Sequence, residues 1–162
     1  MSVLCDYFVC ASPAEARAVI DWSAGPAGQP PSDGAVPPRP DAPSSYPTIS
    51  LPGIEPVVMI ATLEALMTGR EATDVMDEPG SEPIAERDGG ERLIVPMKRS
   101  LQEALATASE QELRTAAASW SETEEFFGDG DPETLGEALI ELAALTNEAA
   151  RTGGGVYCWV SV

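Results

Sequence analysis

Two carboxylates lie in apolar surroundings and could do chemistry: Asp6, within Val3–Cys10, and Glu64, within Val57–Met67. Burial raises the pKa of a carboxyl group, which can then serve as a general acid or pair with an arginine. Acids are almost never fully buried without a partner, so the structural role is favoured. Asp6 and Glu64 are nevertheless the catalytic candidates. The sequence has no histidine and a single lysine, Lys98. That removes Ser-His-Asp and Cys-His catalysis, and the common His-containing zinc and iron sites. Only Lys98 could form a Schiff base, but it stands beside Arg99 at a strand-to-helix junction and reads as a surface residue.

Other constellations are weaker. Gly89–Gly90 and Gly153–Gly155 lack the strand–glycine–helix order that cradles phosphate, and read as turns. Asp129-Gly130-Asp131-Pro132-Glu133 opens like a calcium loop. It fails at position six, where Thr134 replaces the required glycine, and at position twelve, where Ile140 replaces the bidentate glutamate. Helix capping by Asp131 accounts for the same residues, so no metal and no cofactor is expected. Cys5, Cys10 and Cys158 have no CxxC spacing and read as reduced, buried thiols. Cys5 and Cys158 approach each other if the strands that carry them pair. These absences weigh against an enzyme.

The remaining constellation is an aromatic cluster in an acidic frame. Trp120, Phe126 and Phe127 are interleaved with Glu122, Glu124, Glu125, Asp129 and Asp131. Large aromatics among acids suit a basic, partly apolar protein partner. The alternative is that the aromatics point inward and the acids solvate the outside. The segment is the first choice for partner binding.

Charge supports that choice. The chain carries 27 acidic and 9 basic residues in 162, a net of −18. Residues 71–162 hold 20 of the acids and 6 of the bases. Such a field repels nucleic acid and anionic membranes and draws in basic proteins. No direct nucleic-acid contact is expected, and the oligomeric state is left open. The first residues lack a basic, apolar leader, and the longest apolar run, Val57–Leu63, is too short to span a bilayer. The expected location is the cytoplasm, with no membrane contact.

The elements that must position these groups follow from pattern. Val3–Cys10 is apolar on both faces except at Asp6, as in a covered strand. Ser12 caps a short helix through Ala14–Trp22. Prolines crowd residues 24–52, so this stretch is a Pro-rich loop or insertion, with a short edge strand at Tyr46–Leu51. Glu55–Thr68 is apolar nearly all round and predicts a buried helix ending at Gly69. Arg70–Gly90 reads as an acidic surface excursion with one helical turn at Ala72–Met76. A strand at Arg92–Met97 and a helix at Ser100–Ala108 follow. Ser109 with Glu112, and Ser121 with Glu124, both match capping boxes. Asp131-Pro132 starts a long helix, Glu133–Thr152, and Val156–Val162 is a final strand. The expectation is a single α+β domain over 1–162, whose small sheet includes the N- and C-terminal strands, packed by four to five helices.

Cys5-Asp6-Tyr7-Phe8, Leu63–Arg70, Trp120–Leu135 and Tyr157-Cys158-Trp159-Val160 together resemble an uncharacterised group of small acidic actinobacterial proteins of unknown function. The layout is also similar to a broader bacterial family of unknown function. Both resemblances imply an α+β fold and carry no activity. The leading expectation is a non-enzymatic interaction protein of immunity, inhibitor or adaptor type. The alternatives are a small-molecule binder or enzyme using a buried carboxylate, and a structural subunit that assembles with itself or a larger complex through the Pro-rich loop, with deletion of Gly28–Ser44 as its test.

Overall fold

A computed structural model describes residues 3–28 and 45–162. Its frame is a five-stranded antiparallel sheet. β1 (Leu4–Cys10) and β5 (Gly155–Ser161) pair along their full lengths, from Leu4 opposite Ser161 to Cys10 opposite Gly155. β2 (Thr48–Ser50) adds to β1. β4 (Arg92–Pro96) adds to β5, and β3 (Ala85–Arg87) to β4. The order is β2-β1-β5-β4-β3. With six α-helices among the described residues, one more than the upper end of the four to five expected, this is the α+β architecture that the pattern predicted.

Alternation sends each central strand's apolar residues to two different cores. One face carries Cys5, Tyr7, Val9, Val156, Cys158 and Val160. It packs under α2 (Val58–Thr68), α4 (Arg99–Thr107), α5 (Glu110–Ser121) and α6 (Pro132–Thr152). The other face carries Phe8, Cys10, Ile94, Tyr157 and Trp159. It is covered by α1 (Pro13–Ala18) with Val19, Ile20, Trp22 and Tyr46. Aromatic rings knit this second layer, with Tyr46 5.9 Å from Phe8 and 5.5 Å from Trp22.

Local signals set most helix ends. The Asp131 side chain accepts the Glu133 N–H, Pro132 follows it, and Gly153 closes α6 in the left-handed region. Ser109 and Glu112 form the reciprocal capping box. α2 starts later than Pro56 because the Glu55 carboxylate accepts the N–H groups of Val57 and Met59. It is not buried all round, since Val57, Val58 and Leu66 are exposed.

Two expectations fail here. Ser121 does not open a helix with Glu124. It is the last residue of α5, its hydroxyl donates back to the Ala118 carbonyl, and only a 3-10 turn, Glu124–Phe126, follows. In Arg70–Gly90 the helical turn expected at Ala72–Met76 is α3 (Ala72–Asp77), but the stretch also contains the unforeseen strand β3 and so is more structured than a surface excursion. β3 has no apolar alternation to betray it, because an edge strand is specified by its neighbour's backbone. The edge strand expected at Tyr46–Leu51 is β2. Most of the Pro-rich stretch, residues 29–44, lies outside the described residues, and so does most of Gly28–Ser44. Among the described residues no helix is long and apolar enough to cross a membrane.

Candidate functional site

The acidic aromatic segment forms a tight turn between α5 and α6. Trp120 is 1% exposed, and its indole N–H donates to the Met59 carbonyl at 3.0 Å. This bond ties α5 to α2, so Trp120 is core and is not available to a partner, contrary to the sequence expectation. Phe126 is half-buried and stands edge-on to Trp120, with centroids 5.2 Å apart. Phe127 turns the other way. Its backbone is left-handed, with φ 52°, and its side chain is 89% exposed.

Local hydrogen bonds hold this geometry. The Phe126 N–H donates to the Thr123 carbonyl, the Phe127 N–H to Glu124 and the Asp129 N–H to Phe126. The chain then returns against α5 so closely that a Cβ at Gly130 would stand 2.4 Å from the Ser121 carbonyl oxygen. Only glycine allows that approach.

The acids around Phe127 differ in role. Glu122, Glu124 and Asp129 are exposed. Glu125 is half-buried and accepts the Thr62 hydroxyl of α2 at 3.2 Å. Its own backbone N–H holds its pKa below the usual range against the opposing effect of burial, with help from the Thr123 and Thr62 hydroxyls. The Thr134 hydroxyl, then the N–H groups of Glu133 and Thr134, lower the pKa of Asp131, which is committed to capping α6. Both therefore stay ionised at neutral pH. Among the described residues no three acidic or cysteine side chains gather as a metal site.

The turn is continuous with an apolar stripe on α2. Val58 and Leu66 lie one helical turn on either side of Thr62 and are both exposed. Beyond Leu66 a groove of about 560 Å³ runs between α2, α4 and α5, lined by Met67, Ala104, Ala108 and Ala116 with Glu112 at its edge. The surface is thus Phe127 and the exposed aliphatic side chains of α2, leading into a groove of mixed lining that also holds Thr107, Gln111, Thr115 and Ser119.

Asp6 and Glu64 are not brought together. Glu64 is 1% exposed on α2; its carboxylate accepts the Ser100 hydroxyl at 3.0 Å and lies 3.8 Å from the Arg70 guanidinium. Asp6 is half-buried on the opposite face of the sheet, against the backbone of Gly25. The space between sheet and α2 is filled by Tyr7, Met59 and Leu63, leaving neither carboxylate a pocket there. Lys98 is not the surface residue expected. Its side chain is only 10% exposed, donates to the Val75 carbonyl and lies 3.6 Å from Glu78. Cys5 and Cys158 are free, buried thiols on the same face of the paired strands β1 and β5, and the Cys158 thiol donates to the Trp159 carbonyl at 3.8 Å. Burial pushes the Cys158 thiol up, and it pushes the Tyr7 phenol well above its ordinary value.

One feature escaped the sequence reading. The α4 start and the Gly153–Gly155 turn, read separately as a surface junction and a turn, face each other across a groove. The available signal was the pair of cations Lys98-Arg99 at a helix start, where positive charge is disfavoured. No protein-family model matches this chain, and neither a curated protein nor a solved structure matches it.

Proposed function

We propose that this protein is a non-enzymatic interaction module, of immunity, inhibitor or adaptor type, that presents its acidic turn to a basic protein partner in the cytoplasm. The observation that carries this reading is Phe127. A phenylalanine held in a left-handed backbone conformation and almost fully exposed contributes nothing to the fold. Strain and exposure of this kind concentrate at binding surfaces. Glu122, Glu124 and Asp129 around it supply steering and select for positive charge. Aromatic anchors with a polar rim are the usual energetic centre of such contacts.

The test is to place a photo-cross-linking phenylalanine analogue at 127 in the source cell and identify the captured protein. The purified pair is then titrated with wild type, Phe127→Ala and Glu122→Lys at two salt concentrations. Phe127→Ala should weaken binding by about tenfold or more, the range of an anchor residue. Glu122→Lys should slow association and flatten its salt dependence. A purified pair indifferent to both substitutions would overturn the proposal.

A further inference from the structure

Few cations serve this acidic chain, and most are spoken for. Arg70, Arg87, Arg92, Lys98, Arg114 and Arg151 all form ion pairs. Among the described residues Arg17 and Arg99 are the cations without one. Arg99 is the first residue of α4, where a positive charge opposes the helix dipole. No side chain caps that helix, so its first-turn N–H groups stay open. Lys98, Arg99 and Ser100 line a groove of about 480 Å³ that also takes in Pro13, the Gly153–Gly155 turn and Tyr157.

Tyr157 supplies the independent observation. It is 7% exposed and lines the groove, yet no protein group hydrogen-bonds its hydroxyl. The ring is enclosed while the hydroxyl stays accessible from the groove, free to donate to a ligand. Burial raises its pKa, while the charges of Arg17 and Arg99 both reach the hydroxyl and pull the other way. Gly155 leaves the space beside it open, since a Cβ there would stand 3.4 Å from the oxygen. Glu78 also lines the groove, but Arg70 at 2.6 Å and Lys98 at 3.6 Å balance its charge. Two more acids border the groove: Glu64, which accepts the Ser100 hydroxyl at 3.0 Å and lies 3.8 Å from the Arg70 guanidinium, and Glu82, which accepts the Gly80 N–H at 2.8 Å. Acids farther away are screened beyond about 8 Å at physiological salt.

We propose that this groove binds a small phosphorylated molecule, with the phosphate seated between the start of α4, the Arg99 guanidinium and the Tyr157 hydroxyl. Open helix N–H groups and a free guanidinium are complementary to a phosphate dianion. The groove falls within the roughly 300–1,000 Å³ of small-molecule sites. Pro13, Pro79, Pro96 and Met97 give the organic remainder an apolar wall. Free inorganic phosphate shares the anionic chemistry and lacks that remainder.

The test is an amide chemical-shift titration of the full chain with phenyl phosphate, inorganic phosphate and phenol. Phenyl phosphate should shift the Arg99, Ser100, Gly154 and Gly155 amides saturably and bind more tightly than inorganic phosphate, and phenol should leave them unmoved. Arg99→Ala should weaken phenyl phosphate by about tenfold or more, and Tyr157→Phe by roughly threefold to tenfold. Neither substitution removes a packing or hydrogen-bond partner within the protein, so both variants should melt like wild type. Arg114→Ala, a paired arginine outside the groove, should bind like wild type. Absence of saturable shifts at those amides, unchanged affinity in Arg99→Ala, or phenol binding as tightly as phenyl phosphate would each overturn the proposal. Inorganic phosphate binding as tightly as phenyl phosphate would replace the phosphorylated molecule with the free ion.

Discussion

Replacing Phe127 by asparagine should stabilise the protein while weakening its partner binding. The residue sits at φ 52°, a conformation costing a non-glycine residue roughly 1 kcal/mol. Asparagine enters this region more readily than phenylalanine and avoids the entropy that glycine adds to the unfolded chain. The lost ring has little to forfeit, because Phe127 is 89% exposed. The N–H bond from residue 127 to the Glu124 carbonyl is a backbone bond and survives the change. Strain relief without lost burial gives a net gain of about 0.5–1 kcal/mol, which for a chain of this size raises the melting temperature by roughly 1–4 °C. Phe127→Gly should be close to neutral, since its backbone entropy offsets the relief. Calorimetry and urea unfolding read both variants. A loss of more than about 1 kcal/mol in Phe127→Asn would mean that the ring packs on the protein, and the reasoning would fail. Stabilisation with undiminished partner affinity would refute the functional half alone.

Two further outcomes follow from the core. Trp120→Phe removes the indole N–H that reaches the Met59 carbonyl and should cost about 1–3 kcal/mol. A urea midpoint unchanged from wild type would contradict the placement of Trp120 as the α5–α2 tie. Burial raises the pKa of Tyr7 and of Cys158 in the folded state. The lowered pKa of Cys5 beside Cys158 opposes the rise at Cys158, so Tyr7 carries the dependence: the folded protein keeps a proton that the unfolded chain releases above about pH 10. Stability from this group is fully present below that value and falls as pH rises through it. Tyr7→Phe should flatten that decline and should lose at neutral pH the 2.7 Å bond to the Ile54 carbonyl. Urea midpoints across the alkaline range test this, and a flat wild-type profile would contradict it.

The pattern of Val3–Cys10 was sufficient to recognise a strand covered on both faces, because period-two alternation with apolar residues on both sides leaves no solvent face. Asp131-Pro132 and Ser109 with Glu112 marked helix starts, because their side chains satisfy the adjacent N–H groups. The same rule misled at Ser121, which closes α5 instead of opening a new helix, its hydroxyl bonded back to the Ala118 carbonyl. β3 was illegible because its pairing is set by the backbone of β4 and by nothing in Ala85–Arg87.

At the candidate interface, composition alone determined that acids surround three aromatic residues. It could not assign them. Trp120, Phe126 and Phe127 are equally apolar, and their fates separate into buried, half-buried and exposed. That division depends on where the 3-10 turn ends and on how closely Gly130 returns to α5, both decided by contacts with the rest of the fold. The anionic groove shows the same limit more sharply. Lys98-Arg99 and Gly153–Gly155 were visible as local features, but only the β4–β5 pairing sets them around Tyr157. The sequence by itself determined the α+β class, the capped helices, the excess of acids and the absence of histidine chemistry, because these depend on residue identity and local period. Tertiary structure decided which aromatic faces solvent and which cations converge, because both depend on packing between segments distant in the chain.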